Sequence, residues 1–424
     1  MLEWPVLDDG CARAHWPGHR LPSTGRDVGL GALARSLPRS LAPAVVALAL
    51  VTCFVIAAPR AVARTTIRVP EDYSTIQAAL DAASSGDVID IAPGTYRETI
   101  TIRRSVTVRG RVYDATNPRD NTTIVDGGGS SVITVASGIS PNPLLVGLVV
   151  ANGDDGITTT SPINVKHSYF VDNLDSLDYE LGGGGQCLSN VFVRSGDDAV
   201  DLDHIVDDVL IANNRMLRSA DDGVEIRLHD EDIPRTAEIV IRNNEILGSD
   251  EDGIQVIDYF TDTNRRITIG RNLIGNSTMA GIGLMDNGET KEDFRAAGIR
   301  ERIEVRHNTF VHNDHGISGG ANLIALNNIF LQHVLALKRV GGNSVASFNL
   351  FWDNTANSHN SNLIRSTSVI GDPLIDPDFR LRAGSPAIDA GTARFEWRGE
   401  VVMDQPASSY LGSAPDLGWD ERRQ

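Results

Sequence analysis

Cysteine is almost missing from this chain. Three occur in 424 residues, at Cys11, Cys53 and Cys187, too few for a disulfide-stapled scaffold. Lysine is as scarce: Lys166, Lys291 and Lys338 are the whole set, so a lysine base has few candidates. Basic residues are outnumbered 38 to 56, for a net charge of −18. That imbalance makes nucleic acid and anionic membranes poor partners and cations good ones. An anionic polysaccharide then needs a bridging metal or a local arginine patch. No Gly-rich phosphate loop and no nucleophile elbow is found. Long apolar runs are limited to Leu41–Ala58, which follows Arg35 and Arg39 and precedes Ala61-Val62-Ala63. This reads as a secretory signal with cleavage after Ala63, leaving a secreted, periplasmic or cell-surface protein. An uncleaved anchor is the alternative, since 18 apolar residues just span a bilayer. A lipoprotein reading at Cys53 is weak, because Thr52 precedes it. The long mixed lead-in at 1–34 points to a misassigned start. Cleavage leaves Cys187 alone, with 32 basic and 52 acidic residues and a charge of −20.

What the chain has is asparagine in recurring places. Asn190, Asn214, Asn244, Asn272, Asn308, Asn328 and Asn349 each precede a large apolar residue two positions on, as in NVFV, NRML, NEIL and NTFV. Ser168 (SYFV) and Gly147 (GLVV) fit with a small residue in the asparagine place. From Gly147 to Asn349 the anchors lie 21, 22, 24, 30, 28, 36, 20 and 21 residues apart. Each unit reads strand, turn, strand, turn, with apolar period two: Val209 and Ile211, the Asn213-Asn214 turn, Met216, the Asp222-Gly223 turn, then Val224, Ile226 and Leu228. A period near twenty without helical heptads indicates a β-solenoid, whose coils bury their apolar faces only by stacking about 4.8 Å apart. One core column is expected to be Val149, Phe170, Phe192, Met216, Ile246, Ile274, Phe310, Phe330 and Phe351. The asparagines are expected at an inner turn, each amide bonded to its neighbour and to turn backbone.

These repeats resemble the right-handed parallel β-helix proteins of the pectin-lyase-like superfamily. The opening segment TIRVPEDYSTIQAALDAASSGDVIDIAPGTYRETITIRRSVTVRG (66–110) is similar to the N-terminal module of pectinesterase-like and NosD-like members. There Ser74 is expected to cap a short helix carrying Ile76, Ala79 and Leu80 on one face, plugging the end of the solenoid. The closing DPDFRLRAGSPAIDAG (376–391) and PDLGWDE (415–421) resemble the ends of secreted bacterial β-helix proteins. The expected fold is therefore all-β: a right-handed parallel β-helix with a short N-terminal capping helix. The expected division is a leader (1–63), a cap with first strands (64–110), helical coils (111–365) and a closing segment (366–424). Fold does not fix activity, since this architecture hosts lyases, hydrolases, esterases, epimerases and non-catalytic proteins.

An acidic pair before a small residue recurs at one place in the unit: Asp154-Asp155-Gly156, Asp197-Asp198-Ala199, Asp221-Asp222-Gly223 and Glu251-Asp252-Gly253, with Asp175 expected at the first position of the intervening coil. Such a column of like charges requires compensation by solvent, hydrogen bonds, arginine or Ca²⁺. Three readings stay open: turn chemistry with Gly at positive φ, Ca²⁺ sites, or catalytic carboxylates. The next strand adds outward Asp201, Asp203, Glu225, Arg227 and Gln255. Candidate catalytic residues are thus Asp198, Asp201, Asp222, Glu225 and Arg227. Candidate metal ligands are Asp197, Asp221, Glu251 and Asp252, with calcium the only cofactor implied. Paired carboxylates suit glycoside hydrolysis, whereas an arginine beside Ca²⁺-binding acids suits β-elimination on a uronic acid.

A partial likeness to polygalacturonases supports the hydrolase side. Asn173-Leu174-Asp175 and Ser195-Gly196-Asp197-Asp198 are similar to that family's motifs and imply Asp175, Asp197 and Asp198 as its acids. Where the family has Gly-His-Gly this chain has Asp221-Asp222-Gly223, and Arg266-Ile267-Thr268 does not match its Arg-Ile-Lys. Insertions at 174–184, 229–238, 259–266 and 287–302 are expected on one side as groove walls, with Tyr259 and Phe260 available to stack on sugars. His307, His312 and His315 share one coil; the NosD resemblance suggests copper or zinc, but their spacing matches no metal motif. The leading reading is a secreted, monomeric β-helix protein that binds, and cleaves or remodels, an acidic polysaccharide. The second is a non-catalytic structural or carbohydrate-binding β-helix.

Overall fold

The structure, a computed structural model, describes residues 64–422 except 230–234, 260–262, 292–293 and the side chain of Val206. The leader, its apolar run, the cleavage site, Cys11, Cys53 and Phe260 lie outside the described residues. The chain winds as a right-handed parallel β-helix with three long parallel sheets of 12, 12 and 10 strands. Each coil places one strand in each sheet. In one coil, Ile205–Ala212 lies in the first sheet, Arg215–Leu217 in the second and Val224–Leu228 in the third, before Ala237–Arg242 returns to the first. The one α-helix among the described residues, Ile76–Ala82, buries Ile76, Ala79 and Leu80 against the first coils. Its cap is Thr75, not Ser74: the Thr75 hydroxyl accepts from Ala78 N, and Glu98 from the next turn accepts from Ile76 N and Gln77 N.

The corner between the first and second sheets takes two residues. The first adopts a left-handed conformation, with φ of 58° at Asn213, 56° at Asn243 and 55° at Arg271, and varies in type. The second is the anchor asparagine, which is buried. Asn214 N and Nδ2 both donate to Asn244 Oδ1, at 2.9 and 3.0 Å, and Asn244 repeats this toward Asn272. The ladder runs from Asn190 to Asn349, each second amide hydrogen going to a strand carbonyl such as Ile211 O. Replacing Asn244 by alanine orphans two buried donors on Asn214. We expect a loss of roughly 2–6 kcal/mol, at about 1–3 per orphaned donor, read as a lowered denaturation midpoint.

The apolar column forms as expected, with rings stacked at 4.7 Å for Phe170–Phe192, 4.9 Å for Phe310–Phe330 and 5.3 Å for Phe330–Phe351. Its first member is Val150, however, not Val149; Val149 pairs with Tyr169. The anchor place in that coil belongs to Leu148, whose N–H donates to Ser168 Oγ, so Gly147 is one residue early. A second ladder, at the corner between the second and third sheets, escaped the sequence reading because its residues vary. There Gly153 N donates to Asn173 Oδ1, Ser277 N to Asn313 Oδ1 and His333 N to Asn354 Oδ1. Cys187 is buried and free. The closing segment lays Ile375, Ala387 and Leu417 over the outer face of the second sheet, where Val191, Leu217 and Val311 meet them. No helix among the described residues is long and apolar enough to cross a membrane.

Candidate functional site

The acidic pairs occupy the corner that leads into the third sheet, and the backbone separates their two members. The second members form a ladder of their own. Asp198 N donates to Asp175 Oδ1 at 3.0 Å, Asp222 N to Asp198 Oδ1 at 2.7 Å, Asp252 N to Asp222 Oδ1 at 2.6 Å and Ala280 N to Asp252 Oδ1 at 2.6 Å. Each carboxylate thus holds the next coil by one oxygen. Asp175 belongs to this ladder, at the second position and not the first; Leu174 takes the first, because Asp197 N bonds to Leu174 O. That coil is one residue shorter at the corner, so counting from Ser168 misplaces it. The glycines after the pairs do not adopt positive φ, as an Asp-Gly turn predicts. Gly223 and Gly253 are absent from that region of backbone space. A Cβ on Gly223 would instead lie 2.2 Å from Ile246 Cγ2 and 2.5 Å from Gly253 O, so close stacking of coils demands the glycine.

Three residues past each ladder acid, the third sheet turns a polar residue outward. Register places Thr158, Asp178, Asp201, Glu225, Gln255 and Gly283 in one row across successive coils. Asp178, Asp201, Glu225 and Gln255 are all buried, at 8, 7, 1 and 0% exposure. Arg227 lies one step along its strand, donating to Asp203 Oδ1 at 2.6 Å and reaching Glu225 Oε1 at 2.5 Å. The structure therefore splits the candidate catalytic set. Asp198 and Asp222 are ladder members, while Asp201, Glu225 and Arg227 stand together on the outer row. Among the candidate metal ligands, Asp197 and Asp221 share a cluster with Asp198. Glu251 lies one coil further and pairs with Lys291 at 3.7 Å, and Asp252 sits in the ladder beside Asp222. Asp178, which sequence reasoning missed, belongs to the row. Leu177-Asp178-Tyr179 has the same apolar–acid–apolar alternation as Val200-Asp201-Leu202 and Val224-Glu225-Ile226, and that signal marks it.

Three triads have carboxylate oxygens within 4.8 Å of one another: Asp175, Asp198 and Asp201; Asp178, Asp201 and Asp203; Asp197, Asp198 and Asp221. Asp201 is common to the first two. Its Oδ1 and that of Asp178 are buried without a hydrogen-bond partner. An all-oxygen donor set with orphaned buried carboxylate oxygens fits a hard divalent cation such as Ca²⁺. Burial, then the charge on Glu225, push the Asp201 carboxyl well above the ordinary range. Burial, then Glu225 and Asp201, do the same to Asp198. Burial raises Asp175 to about 7 and Asp178 to about 8. Glu225 is raised by burial to about 7 against the opposing pull of Arg227. Burial disfavours the charge on Arg227, but Asp201, Glu225 and Asp203 outweigh it and hold the guanidinium above its ordinary pKa. Such mutual elevation is what a carboxylate cluster shows when no cation neutralises it.

Loops follow third-sheet strands that end at Leu228, Asp258 and Met285, so the insertions do leave one corner. Arg265, 4% exposed, braces them by donating to His229 O and Ile205 O, both at 2.7 Å. At this corner His204, His229 and Tyr259 stack at 4.1 and 4.0 Å. One face of the Tyr259 ring, offered above for stacking on a sugar, thus packs on His229. The insertion called at 174–184 is shorter than that, since Asp178–Tyr179 is a third-sheet strand. The three histidines of one coil diverge. His307 is buried against Asp416 O and Gln405 of the closing segment, His312 sits at a left-handed corner with φ 56°, and His315 stacks on Phe294 at 4.7 Å. They form no common metal site.

The stacked parallel β-helix is similar in fold to several solved structures. Pectate lyase Pel9A matches with a TM-score of 0.54 and 17% identity, over 85% of this chain and 97% of that one. A PL6 family polysaccharide lyase from Pseudopedobacter saltans gives 0.36 and 12%, over 76% and 97%. The A-module of the mannuronan C-5 epimerase AlgE6 from Azotobacter vinelandii gives 0.32 and 15%, over 70% and 94%. The likeness to Pel9A is one of fold. No protein family model and no curated protein matches the sequence.

Proposed function

We propose that this chain is an exported protein that binds a uronate-containing polysaccharide through Ca²⁺ and acts on it by abstracting the proton next to the sugar carboxylate. The observation that carries the reading is the outer row in which Asp201 and Glu225 are adjacent and Arg227 contacts Glu225 at 2.5 Å. Asp175, Asp198 and Asp201 would hold the cation, which would neutralise the substrate carboxylate and make the neighbouring C–H more acidic. Glu225, with its carboxyl near 7, is matched to accept that proton at neutral pH. The electrons then expel the glycosidic oxygen at the β carbon and leave a C=C bond. If instead the glycosidic bond is kept and water delivers a proton to the opposite face while Glu225 retains the one it took, the sugar is epimerised. Elimination is preferred to hydrolysis because Asp198, the acid a hydrolase motif would use, spends one oxygen on the Asp222 backbone. The likeness in fold to a pectate lyase, Pel9A, supports an acidic glycan. The apolar run 41–58 and the Ala61-Val62-Ala63 site support export.

A non-catalytic, carbohydrate-binding reading is favoured by one observation, the use of Asp198, Asp222 and Asp252 as backbone staples. Uronate polysaccharides incubated with and without Ca²⁺ separate the two. Ultraviolet absorbance of an unsaturated product appearing only with Ca²⁺ is the expected outcome. Ca²⁺-dependent binding without that absorbance, without new reducing ends and without a change in uronate stereochemistry leaves the binding reading.

A further inference from the structure

The corner that carries the acidic pairs continues past them as a different surface. The left-handed residue of this corner is Arg194, Arg218, Gly248, Asn276, His312 and Gln332 in successive coils, with φ between 56° and 80°. After the coil of Gly248 the acidic pairs cease: Met279 and Ala280 occupy the pair positions after Glu251 and Asp252, and Asp314 and His315 occupy them in the next coil. There the corner opens into a cleft of about 370 Å³ lined by Asn276, Ser277, Thr278, His312, Asn313, Asp314, Gln332 and Val334. That size lies in the range of roughly 300–1,000 Å³ typical of small-molecule sites.

The lining has a definite chemistry. Three amides, a threonine hydroxyl and an imidazole line it. Asn313 is held by Ser277 N and Ile274 O and Gln332 donates once to Asp353, and such groups both donate and accept hydrogen bonds, as sugar hydroxyls do. Val334, 54% exposed, supplies an apolar patch for the C–H face of a ring. No lysine or arginine lines the cleft, and Asp314 places a carboxylate there. A uronate carboxylate would be repelled; an uncharged pyranose would not. From Asp198 to His315 is four coils, through Asp222, Asp252 and Ala280, or about 19 Å at about 4.8 Å per coil.

We propose that this cleft is a subsite for an uncharged sugar unit, so that the protein reads a heteropolymer in which neutral sugars accompany the uronates. The assignment of the polymer rests on the function proposed above; the cleft and its ligand class stand on their own lining. Isothermal titration of the full chain with neutral hexasaccharides (xylan-, mannan- and galactan-derived), with and without Ca²⁺, tests it. Saturable binding of at least one, unchanged by chelator and by Asp198→Asn, is expected. The pair Asn276→Ala and Gln332→Ala, and separately the exposed-site variant Val334→Glu, should each weaken it about tenfold or more with unchanged circular dichroism. No saturable neutral binding by the wild type, or binding indifferent to the cleft variants, overturns the proposal. Uronate hexasaccharides titrated in parallel report the acidic site: loss of Ca²⁺-dependent uronate binding with neutral binding intact would sink the function proposed above and leave the cleft standing.

Discussion

Raising the pH from 5 to 8 in a chelator lowers the melting temperature of this protein, and adding Ca²⁺ at pH 8 restores it. The expectation follows from the direction of the carboxyl shifts. Asp175, Asp221 and Glu225 are raised to about 7 and Asp178 to about 8, in each case chiefly by burial. Asp198, Asp201 and Asp222 are likewise raised well above the ordinary carboxylate range, chiefly by burial. A carboxyl whose folded pKa exceeds its unfolded value binds protons more tightly when folded. Its stabilising contribution is complete below about pH 4 and is lost as the pH climbs through 7–8. For Asp178, buried to 8% exposure and moving from 3.8 to about 8, the loss is on the order of 5 kcal/mol at most. The acids titrate as a coupled set, so such figures do not add; a fall on the order of 10 °C is expected. Cation binding requires the ionised forms, so Ca²⁺ affinity should rise over the same interval and protons should be released on binding. Asp201→Asn, which removes the acid common to two triads, should flatten both the pH slope and the Ca²⁺ response. A melting temperature indifferent to pH in chelator, or to Ca²⁺ at pH 8, would remove the metal site.

The sequence disclosed the fold through the asparagine ladder because a buried amide between coils has few substitutes. Asn214 must both accept and donate at fixed distances, so its identity persists and can be counted. The second ladder did not announce itself: Asn173, Asn313 and Asn354 accept from the preceding coil, but Ser277 and His333 stand at the same corner, and variation hides a repeat. Counting serves where the corner length is constant; it fails by one residue at Asp175, where the corner is shorter, and at Val149, where Gly147 stands in for the true anchor Leu148. The candidate site was legible as a face, since Asp201, Glu225 and Arg227 lie on one strand row as alternation requires. Its division of labour was not legible. Whether an acid staples backbone, as Asp198 and Asp222 do, or points outward, as Asp201 does, depends on which coil lies above it. Sequence also gave no sign that Tyr259 would be covered by His229, a contact between coils separated by loops.

Glu225→Gln should lower the rate of unsaturated-product formation by about 10²–10⁴, the usual worth of a positioned proton acceptor, while leaving Ca²⁺-dependent binding of the polymer intact. The amide keeps the size of the side chain and its place in the row between Asp201 and Gln255 but cannot take the proton. Asp201→Asn should behave differently. It removes an oxygen from two of the three acidic triads, so binding weakens and excess Ca²⁺ recovers part of the rate. The wild-type rate should rise with pH through about 7, because Glu225 must be ionised to act and burial holds it there. Arg227 supplies the sharper test. Its charge pulls the Glu225 pKa down against burial, and the two side chains meet at 2.5 Å. Arg227→Met removes that pull, so Glu225 should ionise later and the rising limb of the pH–rate profile should move to higher pH. A purely structural role for Arg227 would lower the rate at every pH without moving the limb. A limb unmoved in Arg227→Met, together with full activity in Glu225→Gln, would take proton abstraction away from this row and leave it as a cation-binding face.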